Sequence, residues 1–328
     1  MSRDPLIVIT LEKTNDIQLF SEIIGKDKEA TFFKFFPWTI FDGPKIFNNI
    51  LLHYKYHQEI FPKHKIIFLL NTIEEFNLFR LKGIPCEYVN QNAFIDPTIF
   101  RPLSMEKKYD IVYNARFEYT KRHYLLKRCE KISLLSVLIL RLNNKKKDYI
   151  KFVKNILPES QILNFNNSIK LKEFNINDSV PFLSPNQVNQ AINQSKLGVI
   201  LSSREGACYA SAEYLLAGLP VVSTINIGGR NTFFDERFCR IVPSTQKAVK
   251  NAVDELISQN INPKFIREET IKKFIPHINR FKKLIIQVYH DMGYPVNNID
   301  LLWEDKYIHK MLKYAQPFPE SFIKQITN

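Results

Sequence analysis

LGVILSSREGACYASAEYLLAGLPVVST, residues 197–224, is the stretch on which the reading of this chain turns. It opens as a continuous apolar run and breaks at a polar Ser-Ser-Arg-Glu-Gly turn. Small and apolar residues follow, stopping at Gly218 before Pro220 and a β-branched run. A short apolar run bounded by turn residues reads as a buried strand. Glycine after a helical segment, with proline close behind, marks a helix end. The stretch is therefore predicted as strand (197–203), helix, then strand (220–224), one unit of parallel α/β structure. In such a sheet, ligands bind beyond the C-terminal end of a strand, beside the helix N-terminus.

Two carboxylates mark that turn and helix. Glu205 stands at the mouth and Glu213 eight positions later. Read simply, Glu205 complements the helix dipole and Glu213 is an ordinary helical residue. Glu213, however, lies among Ala, Tyr and Leu, where a buried carboxylate needs a partner. Eight helical steps span about 12 Å, which suits two ends of one extended ligand better than a single reacting bond. Between them, Gly206 and Ala207 carry little side chain, so a phosphate could reach their backbone N–H groups at the positive end of the helix.

The same alternation extends outward. PLIVIT (5–10), KIIFLLN (65–71), CEYVNQNAFID (86–96), YDIVYNA (109–115) and LLSVLILRL (134–142) read as strands, the third running into a loop. Residues 42–60, 72–84, 121–132 and 186–196 read as helices, with Thr72 an N-cap and Gly83 a terminator of the second. Two prolines and a charged run at 96–108 suggest a linker. The predicted fold is α/β with two Rossmann-like, doubly wound domains. The first covers 1–103 and the second 104–275; a helical segment, 276–328, packs back on the first. It includes NRFKKLIIQVYHDMGY (279–294) and WEDKYIHKMLKYAQPF (303–318), both amphipathic.

REGACYASAEYLLAGLPVVST (204–224) resembles the Glu-x7-Glu motif of GT-B glycosyltransferases, above all the retaining family 4 group. NIGGRNTFFD (226–235) is similar to the Gly-Gly loop after that family's next strand. VYNARFEYTKRHYLLKR (112–128) is similar to the strand–Arg–loop–Lys segment that opens its donor domain. The resemblance covers about 105–245 and implies an interdomain cleft that binds a nucleotide-sugar donor. By it, Glu213 would bind the ribose hydroxyls, while Glu205 with the Gly206 and Ala207 amides would hold the donor sugar and its phosphate. Arg116 and Lys121 would clamp the diphosphate, with Gly228, Gly229 and Arg230 as further donor-binding residues. Arg and Lys can stabilise a departing diphosphate without a metal, and the chain has no Asp-x-Asp metal signature, so neither metal nor cofactor is expected. The acceptor, a saccharide or glycolipid, would enter from the N-terminal side, where the glycine-rich loop common in the family is missing.

Charge narrows the partners. The net charge is +13, and residues 101–180 alone carry 17 Lys/Arg against 8 Asp/Glu. That favours an anionic ligand or lipid surface. No aromatic RNA-binding signature or helix-turn-helix pattern accompanies it, so nucleic acid is not expected. Cys86, Cys129, Cys208 and Cys239 are scattered, and no apolar run reaches membrane-span length. A cytoplasmic chain is expected, with peripheral contact at the inner face of an anionic membrane. His53, His57, His64 and His123 are further acid/base candidates, against ordinary structural roles, and Cys208 reads as a small apolar filler. Rival functions are a nucleotide-sugar epimerase of the same architecture and a non-catalytic basic module that binds nucleotide, nucleic acid or lipid.

Overall fold

The computed structural model describes residues 5–11, 16–136, 144–178, 180–294, 296 and 299–300. The first sheet comprises β1 (Ile7–Thr10), β2 (Ala30–Phe35), β3 (His64–Leu70) and β4 (Cys86–Tyr88), linked through α1 (Asp16–Ile24), α2 (Pro44–Ile60) and α3 (Ile73–Leu81). The second takes β5 (Tyr109–Asn114), β6 (Ile132–Leu135), α4 (Asn144–Ile156), β7 (Gln161–Ile162) and β8 (Ile169–Lys170) in turn. It continues through α5 (Pro185–Asn193), β9 (Ser195–Ile200), α6 (Tyr209–Leu216), β10 (Val221–Thr224), β11 (Cys239–Val242) and α7 (Gln246–Ser258). A long helix, α8 (Pro263–Asp291), closes the described chain. No described helix is long and apolar enough to cross a membrane.

The second sheet runs β11-β10-β9-β5-β6-β7-β8, parallel except for the β7–β8 edge pair. From β5 the chain moves one way to β6 and β7. It then returns beside β5 as β9 and moves the other way. This is the doubly wound order, with its switch point between β5 and β9. α4 and α7 cover one face through Tyr149, Val153, Val249 and Leu256. α5 and α6 cover the other through Ile192, Tyr214 and Leu215.

The first sheet is all parallel but runs in chain order, β1-β2-β3-β4. Right-handed crossovers that always step the same way leave their helices on one face. Ile17, Phe20, Ile50 and Phe79 accordingly pack with Val8, Phe32 and Phe68 on that side. The opposite face, Ile7, Phe33, Phe35, Ile67 and Leu69, is covered by Phe281, Ile285 and Val288 of α8. The same helix buries Ile266 and Phe274 in the core of the second sheet. The expected return of the C-terminal segment is therefore seen in α8, while 303–318 lies outside the described residues.

Local departures have physical causes. The helix expected over 121–132 is instead two short 3-10 turns, Tyr119–Lys121 and His123–Leu126. Arg122 between them has φ 52°, which breaks an α-helix. The expected strand at 134–142 is represented by β6, and 137–143 lie outside the described residues. Thr72 does cap α3, accepting the Glu75 amide at 3.1 Å. The 96–108 stretch is pinned rather than loose: Asn189 and Asn193 hydrogen-bond the backbone of Arg101 and Leu103 at 2.9–3.2 Å.

Candidate active site

The loops that leave β5 and β9 diverge at the switch point and are tied together where the Ser203 amide donates to the Thr120 carbonyl at 3.2 Å. The first carries Arg116 and Lys121, the second Glu205. Lys121 and Glu205 form an ion pair, each less than a tenth exposed. Glu205 also accepts the Ser202 hydroxyl at 2.5 Å. Beneath it lies Arg230, fully buried, whose guanidinium donates to the Ser202 carbonyl and hydroxyl at 2.6 and 2.8 Å and to the Thr224 carbonyl. Arg230 thus supports the Glu205 loop from below by joining the ends of β9 and β10. A buried charge is tolerable only with such partners.

Arg116 stands apart from that pair. It is exposed, and its guanidinium lies 3.7 Å from the Glu118 carboxylate, which also sits 3.4 Å from Lys146. Glu213 projects from α6 toward Asn114 at the end of β5, whose amide nitrogen donates to it at 3.3 Å. Burial pushes the Glu213 carboxyl up to about 7 against the lowering effect of that bond. The helix begins at Tyr209, behind Cys208 at φ 59°, so Gly206 and Ala207 belong to the turn. Glu213 is therefore about one turn into the helix, four residues after its first.

The glycines are required by close approach. A Cβ on Gly206 would lie 2.4 Å from the Pro37 carbonyl oxygen, and one on Gly229 would lie 2.7 Å from the Asn71 carbonyl oxygen. Gly228, at φ 117°, has the Glu205 carbonyl oxygen 1.6 Å from where its Cβ would be. The Gly229 amide donates to the Gly206 carbonyl at 2.8 Å, so the two loops are stitched directly. Ala207 is fully buried, and its carbonyl accepts Asn92 at 2.7 Å.

The first sheet supplies partners that sequence reasoning missed. Trp38 places its ring 6.0 Å from the Lys121 ammonium and donates its indole N–H to Asp42 at 2.6 Å. Asp42 in turn pairs with Arg204, the residue before Glu205. Asn90 donates to the Asn71 and Gly229 carbonyls at 3.0 and 3.2 Å, bridging the two sheets. Asn71 follows β3, and Asn90 caps the short 3-10 helix Gln91–Phe94 that holds Asn92; no motif marks them, so only a polar cluster near predicted strand ends could have done so. The histidines are placed structurally, with one exception. His123 is buried beside Phe117, and burial, with the nearby Lys121 charge, holds it down at about 3. His57 is held at about 4, chiefly by burial, and His64 is lowered by burial as well. Of these four candidates, His53 is the exposed one, on α2. Burial pushes the Cys208 thiol up to about 12, so it is a poor nucleophile.

Known proteins sharpen this picture. HepE of Anabaena, solved with UDP and also with UDP-glucose, matches at 12% identity over 85% of this chain and 79% of HepE, with a TM-score of 0.59. Sucrose-phosphate synthase from Thermosynechococcus elongatus matches at 13% identity over 84% of this chain and 71% of the synthase, with a TM-score of 0.58. S. aureus TarM matches at 14% identity over 87% of this chain, which spans 54% of TarM, with a TM-score of 0.54. At such identities the likeness shows the fold, which is that of the GT-B glycosyltransferases. The family profile "Glycosyl transferases group 1" matches residues 95–273, more than half of the chain. The chain therefore belongs to the group 1 glycosyltransferase family. No curated protein matches its sequence.

Proposed function

We propose that this glycosyltransferase moves a sugar from a nucleotide-sugar donor to an acceptor hydroxyl, with retention of anomeric configuration and without a metal or cofactor. The observation that carries the reading is the buried Lys121–Glu205 pair at the switch point, with Glu213 on the adjoining helix. Glu213 accepts the ribose hydroxyls, and Glu205 accepts hydroxyls of the donor sugar. Without a ligand, Lys121 and Glu205 satisfy each other. A donor diphosphate competes for the Lys121 ammonium, which frees the Glu205 carboxylate for the sugar. Arg116, on the exposed side of the same loop, is the second cation for the diphosphate.

In the transfer, the bond from the anomeric carbon to the diphosphate oxygen breaks as the acceptor oxygen bonds that carbon on the same face. The departing phosphate takes the acceptor proton, so no protein nucleophile is needed. Lys121 and Arg116 stabilise the charge that develops on the leaving group. The domain from 104 to 275 would hold the donor and that from 1 to 103 the acceptor, a saccharide or glycolipid. The protein would work in the cytoplasm, with its basic surface against anionic lipid. Complexes of HepE with UDP and UDP-glucose support a nucleotide-sugar donor.

A thermal-shift screen of nucleoside diphosphates and their sugars, followed by product analysis with and without acceptor, tests the reading. Stabilisation by one nucleotide and acceptor-dependent release of its diphosphate are expected. An altered sugar nucleotide released without acceptor would instead identify an epimerase, and stabilisation by DNA alone a basic binding module.

A further inference from the structure

The loop FPWTIFDG, residues 36–43, leaves β2 at the C-terminal end of the first sheet and leads into α2. Its proline and glycine would suit a loose connection, yet it is clamped from beneath. Glu75, 1% exposed near the start of α3, accepts the Thr39 hydroxyl at 3.1 Å and the Ile40 amide at 3.2 Å on one carboxylate oxygen. Its other oxygen accepts the Asn71 amide at 3.2 Å, and the Asn71 side chain donates to the Phe36 carbonyl at 2.9 Å. Burying a carboxylate is costly, and burial raises the Glu75 pKa against those hydrogen bonds. Neither the strand end nor the helix start requires such a group. Its effect is to hold this loop in one conformation.

What that conformation presents is Trp38. Its half-buried ring lies 6.0 Å from the Lys121 ammonium. The indole N–H is already engaged by Asp42 at 2.6 Å, and Asp42 is held in turn by Arg204. A ligand therefore meets this ring by its face rather than through a hydrogen bond. Phosphates and lone hydroxyls gain little there. The C–H face of a pyranose does gain, because stacking takes two apolar surfaces out of water and leaves the sugar hydroxyls free at the rim. Trp38 comes from the first sheet, whereas Lys121, Glu205 and Glu213 come from the second. It stands at the diphosphate cation, on the sugar side of the ribose, so a nucleobase is not its partner. We infer that Trp38 is the platform on which the acceptor's terminal sugar ring stacks beside Lys121, and that Glu75 is the residue that positions it. The inference rests on the glycosyltransferase reading. It narrows the acceptor hydroxyl to one carried by a sugar ring, as against a protein side chain or a lipid alcohol.

The chain has two tryptophans, so Trp303→Phe leaves Trp38 as its sole indole. Acrylamide quenching of that full-length protein is measured with methyl glycosides of glucose, galactose, mannose and N-acetylglucosamine, each with and without UDP. UDP alone should not lower the quenching constant, and at least one glycoside added with UDP should lower it about twofold or more. Glu75→Gln turns one accepting oxygen into a donor, and Thr39→Val is a milder change at the same clamp. In the same background each should remove roughly half or more of the glycoside effect, with UDP affinity by calorimetry within about threefold of the parent. A general loss of structure would move both readouts together. Absence of shielding by any glycoside overturns the inference, and full shielding by UDP alone would give the ring to the donor. Undiminished shielding in the folded variants removes Glu75 from the positioning role. If UDP does not bind the unaltered protein, the donor reading fails, and Trp38 is judged on the glycosides alone.

Discussion

At Glu213, burial and the Asn114 amide act in opposite directions on one carboxyl, and burial wins, bringing it to about 7. The folded protein then holds a proton that the unfolded chain releases near pH 4.5, so stability should fall as pH rises from about 4.5 to about 7. The expected loss is on the order of 2 kcal/mol, and Glu213→Gln should flatten it. Urea unfolding at pH 5 and pH 7.5 measures this, and the same slope in both proteins would refute it. Glu213→Ala should also weaken nucleoside diphosphate binding by about tenfold or more, one lost hydrogen bond to a charged group. Unchanged calorimetric affinity in a folded variant would remove the ribose assignment. Lys121→Met leaves the buried Glu205 carboxylate with only the Ser202 hydroxyl. Loss of such a charge stabiliser is expected to lower kcat about 10²–10³-fold. A rate within threefold of the unaltered enzyme would exclude Lys121 from leaving-group stabilisation.

At the scale of elements, the site depends on how closely two turns can approach. Gly228 combines a left-handed backbone with a Glu205 carbonyl oxygen 1.6 Å from any added Cβ. Gly228→Ala must therefore push the β9 and β10 loops apart, and should cost about 3 kcal/mol or more of stability. Chemical denaturation checks this; a loss under 1 kcal/mol would mean the loops can shift freely. Gly198 plays a similar part inside β9. The Tyr214 ring lies 2.2 Å from where its Cβ would be, and the Tyr214 hydroxyl accepts the Asn114 amide at 2.6 Å. A missing side chain in one strand thereby fixes the helix that carries Glu213. Strands and helices around this motif were legible because period and turn residues act locally. The 121–132 segment was misread as a helix because its apolar spacing is helical. Its conformation is set instead by Tyr149, which accepts the His123 amide at 3.0 Å from a distant helix.

Over the whole molecule, α8 joins the two sheets. Phe281 meets Phe33, Phe35 and Phe94 edge-on at 5.1–6.0 Å and seals the face that the chain-order sheet leaves without a helix of its own. Phe281→Ala should cost about 3–5 kcal/mol, by lost transfer energy and the cavity left behind. A thermal unfolding scan measures it, and a near-neutral result would show that α8 is dispensable to the first sheet. Polar stitching across the molecule, from Asn90 and Asn92 to Gly229 and Ala207, holds the first sheet's loops against the Glu205 turn. Those residues have no periodicity or motif, and their value comes only from what stands opposite them.

By itself the sequence determined the α/β class, the strand–turn–helix unit that carries Glu205 and Glu213, and the return of a C-terminal helix. These follow from hydrophobic period, turn chemistry and spacing, all of which act within tens of residues. Only the tertiary structure decided that Arg230 is a buried strut, that Arg116 faces outward, and that Trp38 closes on Lys121. The burial of a charge and the approach of one loop to another depend on residues far apart in the chain, and no local pattern records them.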